Sequence, residues 1–314
     1  MSAIQQLIGR LKLGSPQTEG GLTVFPLLDP QPLEAAQYLT LDEAIAQHAL
    51  TIAELAEGGS VPQLRVENQG QRSVLLVDGE ELIGGKQNRS VNLTVLVPAH
   101  ATLDVPVSCV ERGRWQERTA SFATSTQTVG ARTRARKTRS VSASLRKRGS
   151  RESDQRGVWE DIADTTSRTL TFSATAAFSD VFDTHRERIE QVAGAFAAEP
   201  DQVGAVFALG GRVQGTDVFD SERTLRRLLP KLLRGYAVET LAAPAETASP
   251  ASADAARRFL EDVAGAALQE FQGVGAGRDL RFDARGLSGG ALVLGEDVVH
   301  LVAFREADPA QAVA

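Results

Sequence analysis

Cysteine is almost missing from this 314-residue chain: Cys109 stands alone, so no internal disulfide can form. Four scattered histidines, His48, His100, His185 and His300, add no ligand spacing suited to structural zinc. No uninterrupted apolar run approaches the roughly 18 residues that a membrane span needs. The first dozen residues, Met1 to Lys12, lack the apolar core of a secretory signal, and a cytoplasmic location is expected. Aromatics are scarce at 5%, yet 42% apolar content at this length can bury a real core, in one large domain or two smaller ones.

Charge is plentiful but uneven. The net charge is −6, while the stretch from Arg112 to Arg156 carries thirteen Lys or Arg against three Asp or Glu. A basic island in an acidic protein attracts anions locally while the rest repels polyanions, which suits a small phosphate-bearing ligand at least as well as a long nucleic acid. A solvated arginine-rich loop is the plainer reading of the same residues.

Leu22 to Leu28 reads as a strand, and Thr40-Leu41-Asp42-Glu43 offers a capping box for a short helix ending near His48. Strands are expected at Thr51 to Leu55 and Gln63 to Glu67, with a Gly58-Gly59-Ser60 breaker between them. Ser73 to Val77, Val91 to Val97 and Val105 to Val110 are β-branched runs ending at turn residues, which favours a mostly antiparallel sheet with short connections. The segment 119–157, rich in Ser, Thr and Arg, reads as a long exposed excursion, flexible and partly helical around Val141 to Arg148. Further on, Val181 to Ala198 has helical periodicity, Val203 to Leu209 and Val213 to Phe219 form a hairpin around Gly210-Gly211, and Ser221 caps a leucine-rich helix kinked at Pro230. Pro244 to Ser252 is a small-residue linker, Ala255 to Phe271 a helix, and Leu280 to Phe282, Ala291 to Leu294 and Val298 to Phe304 short strands. Without regular βαβ alternation the fold class is α+β: a mostly antiparallel sheet with several packed helices and one long basic excursion.

Three familiar motifs fail. Gly79 to Lys86 would need glycine at Glu80 and Ser or Thr at Gln87 to be a phosphate-binding P-loop. Gly273-Val274-Gly275 has Arg278 where the dinucleotide fingerprint wants its last glycine, and it ends a helix instead of opening one. Gly286-Leu287-Ser288-Gly289-Gly290 satisfies G-x-S-x-G, but the following residues read as strands, whereas a nucleophile elbow needs a helix after the serine. Cys109, inside a strand-like run, is expected to be a buried, inert thiol.

What survives is a polar constellation. Glu80, Glu81, Lys86, Gln87, Asn88 and Arg89 crowd around Gly84-Gly85, and Glu111-Arg112-Gly113-Arg114-Trp115 follows a strand end. Acid, base and fork donors on a turn can hold a polar ligand or cation and position a proton acceptor. Arg114 can fork onto a phosphate, Trp115 offers a flat stacking surface, and the two clusters are expected to fold into one concave pocket.

Residues 79–89, then Val95 to Pro98, Pro106 to Glu111, Gly113-Arg114-Trp115, Gln155 to Trp159 and Gly204 to Phe219 together resemble the family of ARG and rhodanese-phosphatase-superfamily-associated protein domains, over about residues 20–305 as a single domain. That resemblance implies an association with ADP-ribosylglycohydrolases and with NAD or ADP-ribose metabolism, the family's own activity being a proposal. It implies Glu80, Lys86, Gln87, Asn88, Arg89, Glu111, Arg114, Trp115 and Trp159 as characteristic polar positions.

Three readings stay open. In the first, the chain binds or hydrolyses an ADP-ribose-like nucleotide. Lys86, Arg89 and Arg114 hold phosphates, Trp115 stacks on the base, Gln87, Asn88 and Trp159 are further ligand-binding positions, and Glu80 or Glu111 acts as general base or holds a divalent cation such as magnesium, with Glu81 a further catalytic candidate. In the second, the 112–156 region binds nucleic acid or an acidic protein, although no aromatics interleave its arginines. The third is an assembly subunit tied together by buried ion pairs.

Overall fold

The computed structural model describes residues 1–32, 37–55, 62–241, 250–284 and 286–306. Among them are eight helices and eighteen strands, an α+β fold built on large antiparallel sheets. The largest sheet has nine strands. In spatial order eight of them run Lys12–Leu13, Leu22–Leu28, Gln202–Leu209, Arg212–Phe219, Asp297–Arg305, Leu287–Leu294, Arg278–Ala284 and Gln269–Gln272, and Gln17–Glu19 pairs on Leu22–Leu28 as well. Gly210 and Gly211, both at positive φ, make the tight turn between Gln202–Leu209 and Arg212–Phe219.

A six-stranded sheet orders Ala123–Thr128, Glu80–Ile83, Arg89–Val91, Thr102–Cys109, Gln63–Asn68 and Leu50–Glu54. A third sheet, Val95–Val97, Ser73–Leu76 and Tyr38–Thr40, contains a parallel pair between its last two strands. Val91 to Val97, expected as one strand, is therefore divided between two sheets, with Asn92 to Thr94 turning the chain.

The basic stretch departs most from expectation. Within 119–157 lie the strand Ala123–Thr128 and the eighteen-residue helix Ala131–Arg148, which Gly149 ends in the left-handed conformation. Thr133, Arg134, Lys137, Thr138, Val141, Ser142 and Leu145 form its buried face. These positions repeat at the three-to-four-residue spacing of a helix, but most are polar, so a reading keyed to apolar residues passes over them. What was expected as a solvated excursion is packed against the Leu287–Leu294 and Gln155–Arg168 elements.

Smaller differences have local causes. Val181 to Ala198 is two helices, Ser179–Thr184 and Arg186–Gly194, meeting at His185. The helix expected over Ala255 to Phe271 stops at Gly265, and Gln269–Gln272 joins the large sheet as its edge strand. Ser2 and Gln5 form a capping box that starts an unexpected helix, Ala3–Arg10. Pro230 lies inside the helix Glu222–Thr240. The breaker at 58–60 and the linker from 244 to 249 fall outside the described residues. No helix among the described residues is long and apolar enough to cross a membrane.

Candidate functional site

Glu80–Ile83 and Arg89–Val91 pair antiparallel, and the chain reverses between them through residues 84–88. Gly84 has φ +144° and Gly85 φ +52°; a Cβ on Gly85 would strike the Phe122 ring and sit 2.8 Å from Glu54 Oε1. Only glycine fits that turn. Glu80 and Glu81 are thus buried strand residues, not the exposed tip of a charged loop.

Arg114 joins the two polar clusters. Its Nε donates to Glu111 Oε1 at 2.9 Å and its Nη2 to Glu111 Oε2 at 2.6 Å. The same guanidinium donates to the carbonyls of Gly85 (2.6 Å) and Gly84 (3.2 Å) and to Asn88 Oδ1 (3.2 Å). Glu111 Oε2 also accepts the Asn88 amide at 3.0 Å. The clusters therefore meet and interlock, and the fork that was expected to face a phosphate is filled by this chain's own acceptors. Burial would raise the Glu111 carboxyl, yet the Arg114 bonds and the Asn88 amide together hold it below its ordinary value.

The other carboxyls have separate surroundings. Glu80 accepts the Val77 amide at 2.8 Å and Lys231 Nζ at 2.9 Å, and Lys231 also donates to Asp42 at 2.7 Å. Burial raises the Glu80 carboxyl while Lys231 draws it back. Glu80 thus ties the hairpin to the helix Glu222–Thr240. Glu81 is fully buried with no cation beside it; Gln127 donates to its Oε2 at 2.9 Å, and its Oε1 has no partner among the described residues. Burial pushes its pKa up to about 8.

Arg89 is buried as well, donating through Nη1 to Gln87 Oε1 (3.1 Å) and to Cys109 Sγ (2.9 Å). Gln87 in turn donates to the Arg112 carbonyl at 3.2 Å. Burial raises the Cys109 thiol despite the arginine, in keeping with a buried thiol. Lys86 is exposed, with Glu54 3.8 Å away. Trp115 is 59% exposed, and Trp159 is partly covered by Arg112, whose guanidinium carbon lies 5.3 Å from its ring centre.

Several groups carry no obvious sequence signal. Arg134, 1% exposed, donates to both oxygens of Asp217 (3.0 and 2.6 Å) and to Asp78 (3.2 Å). His300 lies between Asp217 Oδ1, 3.2 Å from Nε2, and Thr94 Oγ1, 2.7 Å from Nδ1. A carboxylate can only accept, so Nε2 carries a proton. Lys137, wholly buried, donates to Ser90 Oγ and the Val91 carbonyl, each at 2.6 Å, and burial brings its pKa down to about 8. Most remaining cations of the island are paired: Arg132 and Arg136 with Asp161, Arg139 with Glu306, Arg146 with Asp283 and Arg156 with Glu160. In the region expected to meet nucleic acid, Arg132, Arg134, Arg136 and Arg139 are thus occupied within the chain. Ser288 is buried inside the strand Leu287–Leu294, with no helix following it.

At the rim of the hairpin, by contrast, Arg112 and Arg118 are exposed and make no ion pair among the described residues; Glu117 is the single acid between them. The Arg118 amide donates to the Gly85 carbonyl at 3.0 Å, which fixes this loop against the turn.

Fold and site together define an α+β protein in which a glycine turn and an arginine-tryptophan loop are fastened into one polar rim. Residues 10–304, nearly the whole chain, match the sequence profile of the ARG and Rhodanese-Phosphatase-superfamily-associated Protein domain, and the chain belongs to that family. No curated protein and no solved structure matches it.

Proposed function

We propose that this protein binds a small phosphorylated ligand of the nucleotide class, ADP-ribose or NAD, at the rim formed by Lys86, Arg112, Arg118 and Trp115. The observation that carries the reading is a contrast in ion pairing: most of the basic segment's cations are buried or matched to carboxylates, while Arg112 and Arg118, like Lys147 farther along, are exposed with no ion pair among the described residues, and the Arg118 amide is fixed on the glycine turn. Unmatched cations on a rigid rim attract a compact anion at little cost in ordering. The family resemblance supports ADP-ribose or NAD as the anion.

Binding is favoured over turnover. Glu80 and Glu111 already share their oxygens with Lys231 and Arg114, so neither is free as a general base or as a magnesium ligand. Glu81 keeps an oxygen free but is sealed from solvent. Calorimetric titration with ADP-ribose, NAD and inorganic pyrophosphate, with and without magnesium, tests the reading. Saturable binding that weakens at least tenfold when Lys86, Arg112 and Arg118 are all changed to alanine is the expected result; no heat from folded protein, or an unaffected triple variant, removes it.

A further inference from the structure

Arg151 lies just past the helix Ala131–Arg148 and is half-buried. Among the described residues it makes no ion pair, and its one acceptor is the Gln272 carbonyl. Asp279, whose charge reaches it, is already paired with Arg281 at 2.7 Å. Ser150 Oγ and Arg151 Nε are likewise without an acceptor among the described residues. Burial lowers the Arg151 pKa. A cation drawn partly out of water with no counter-charge is costly, and a bound anion would offset that cost.

Arg151 lines a groove of about 370 Å³, walled by the loop 149–152, by Gln63 and Asp104 on two paired strands, and by Gly273-Val274. The two acids of this groove are engaged elsewhere. Asp104 takes the Arg65 fork at 3.0 and 3.3 Å, and Glu152 lies 4.0 Å from Arg148. Of the three charged residues in the wall, Arg151 is therefore the one left unmatched. The loop that carries it is fixed: Gly149 turns in the left-handed conformation, Asn92 Nδ2 donates to the Arg151 carbonyl at 3.2 Å, and the Asp154 amide donates to Ser140 Oγ at 3.0 Å. The preceding helix ends in Arg146, Lys147 and Arg148, which offset the negative end of its dipole. A cation held in place in a concavity binds a compact anion at little cost in ordering.

We propose that this groove is an anion site separate from the rim, and that it takes a phosphate group on the Arg151 guanidinium. A phosphate offers at least three acceptor oxygens, enough for the guanidinium edge and for the Ser150 hydroxyl and Gln63 amide of the same wall, whereas a carboxylate offers two. The site shares no residue with Lys86, Arg112, Arg118 or Trp115, so it goes beyond the reading under Proposed function and does not rest on it.

The test is calorimetric titration with inorganic phosphate and with acetate. It uses the intact chain, the Lys86, Arg112 and Arg118 triple alanine variant, Arg151→Ala and Glu152→Gln. A hydrogen bond to a charged group contributes about 1.5–3 kcal/mol, and each 1.4 kcal/mol is tenfold in affinity. Arg151→Ala should therefore weaken phosphate binding at least tenfold, while the triple variant keeps it. Glu152→Gln removes an acid from the wall at an exposed position and should tighten phosphate binding, more at low salt than at high. That variant leaves the Arg151 bond to Gln272 in place, so it tests the site even where Arg151→Ala disturbs the loop. Acetate should bind at least tenfold more weakly than phosphate. Phosphate binding that is absent from the intact chain, or unmoved by both Arg151→Ala and Glu152→Gln, overturns the proposal. Binding lost in the triple variant and kept in Arg151→Ala puts the anion at the rim and overturns this site alone. Acetate bound as tightly as phosphate overturns the assignment of the ligand.

Discussion

Replacing Arg134 by alanine should be among the most destabilising single changes in this protein, and the size follows from its partners. Arg134 makes two charge-assisted bonds to Asp217 and one to Asp78, with all three side chains buried. Removing one partner of a buried ion pair costs about 3–5 kcal/mol, because the remaining charge stays buried and unmatched. At about 2–4 °C per kcal/mol for a domain of this size class, the melting temperature at pH 7 should fall by roughly 6–20 °C. The pH dependence gives a second signature. Burial would raise the Asp217 carboxyl, but Arg134 and His300 bring its folded-state pKa from 3.8 down to about 2. A depressed folded-state pKa contributes stability that is present above pH 4 and is lost as pH falls toward 2, here about 2–3 kcal/mol at 1.36 kcal/mol per pKa unit. Without Arg134, burial dominates and the folded-state pKa rises above 3.8, so the sign reverses: the variant should gain stability as pH falls from 6 to 4. Thermal melts of both proteins between pH 4 and 8 test this. A variant that melts within 2 °C of the parent at pH 7, or whose deficit is independent of pH, would refute the assignment of Arg134 as the buried tie.

Glu81→Gln should stabilise the protein in alkali. The Glu81 folded-state pKa of about 8 lies above its ordinary 4.5, so its stabilising protonation is intact below pH 4.5 and is progressively lost as pH rises to 8. The amide still accepts from Gln127 and never ionises, so melts of the two proteins should nearly coincide at pH 5 and separate in favour of the variant at pH 8. A Gly79→Ala change puts a side chain at φ +86° and a Cβ 2.7 Å from Arg134 Cδ. A loss of about 1–3 kcal/mol is expected by chemical denaturation, and a neutral result would mean that the turn is not fixed by Arg134.

Much of the architecture was legible because local chemistry decides it. Leu22–Leu28, the Thr40 capping box, the Gly210-Gly211 hairpin and the Ser221 cap follow from hydrophobic period, side-chain capping and the freedom of glycine at positive φ. The order of polar and apolar residues from 79 to 115 likewise carried the resemblance to the family whose profile matches residues 10–304. Tertiary structure decided which charges meet. Sequence spacing placed Glu80, Glu111, Arg89 and Arg114 near one another, but not that Lys231 from a helix some 150 residues on would take Glu80. Nor did it show that Arg134 and Lys137 would be driven into the interior by Asp78, Asp217 and Ser90. A charged side chain reads as solvent-facing until its partner is known, and partners distant in sequence are supplied only by the folded chain.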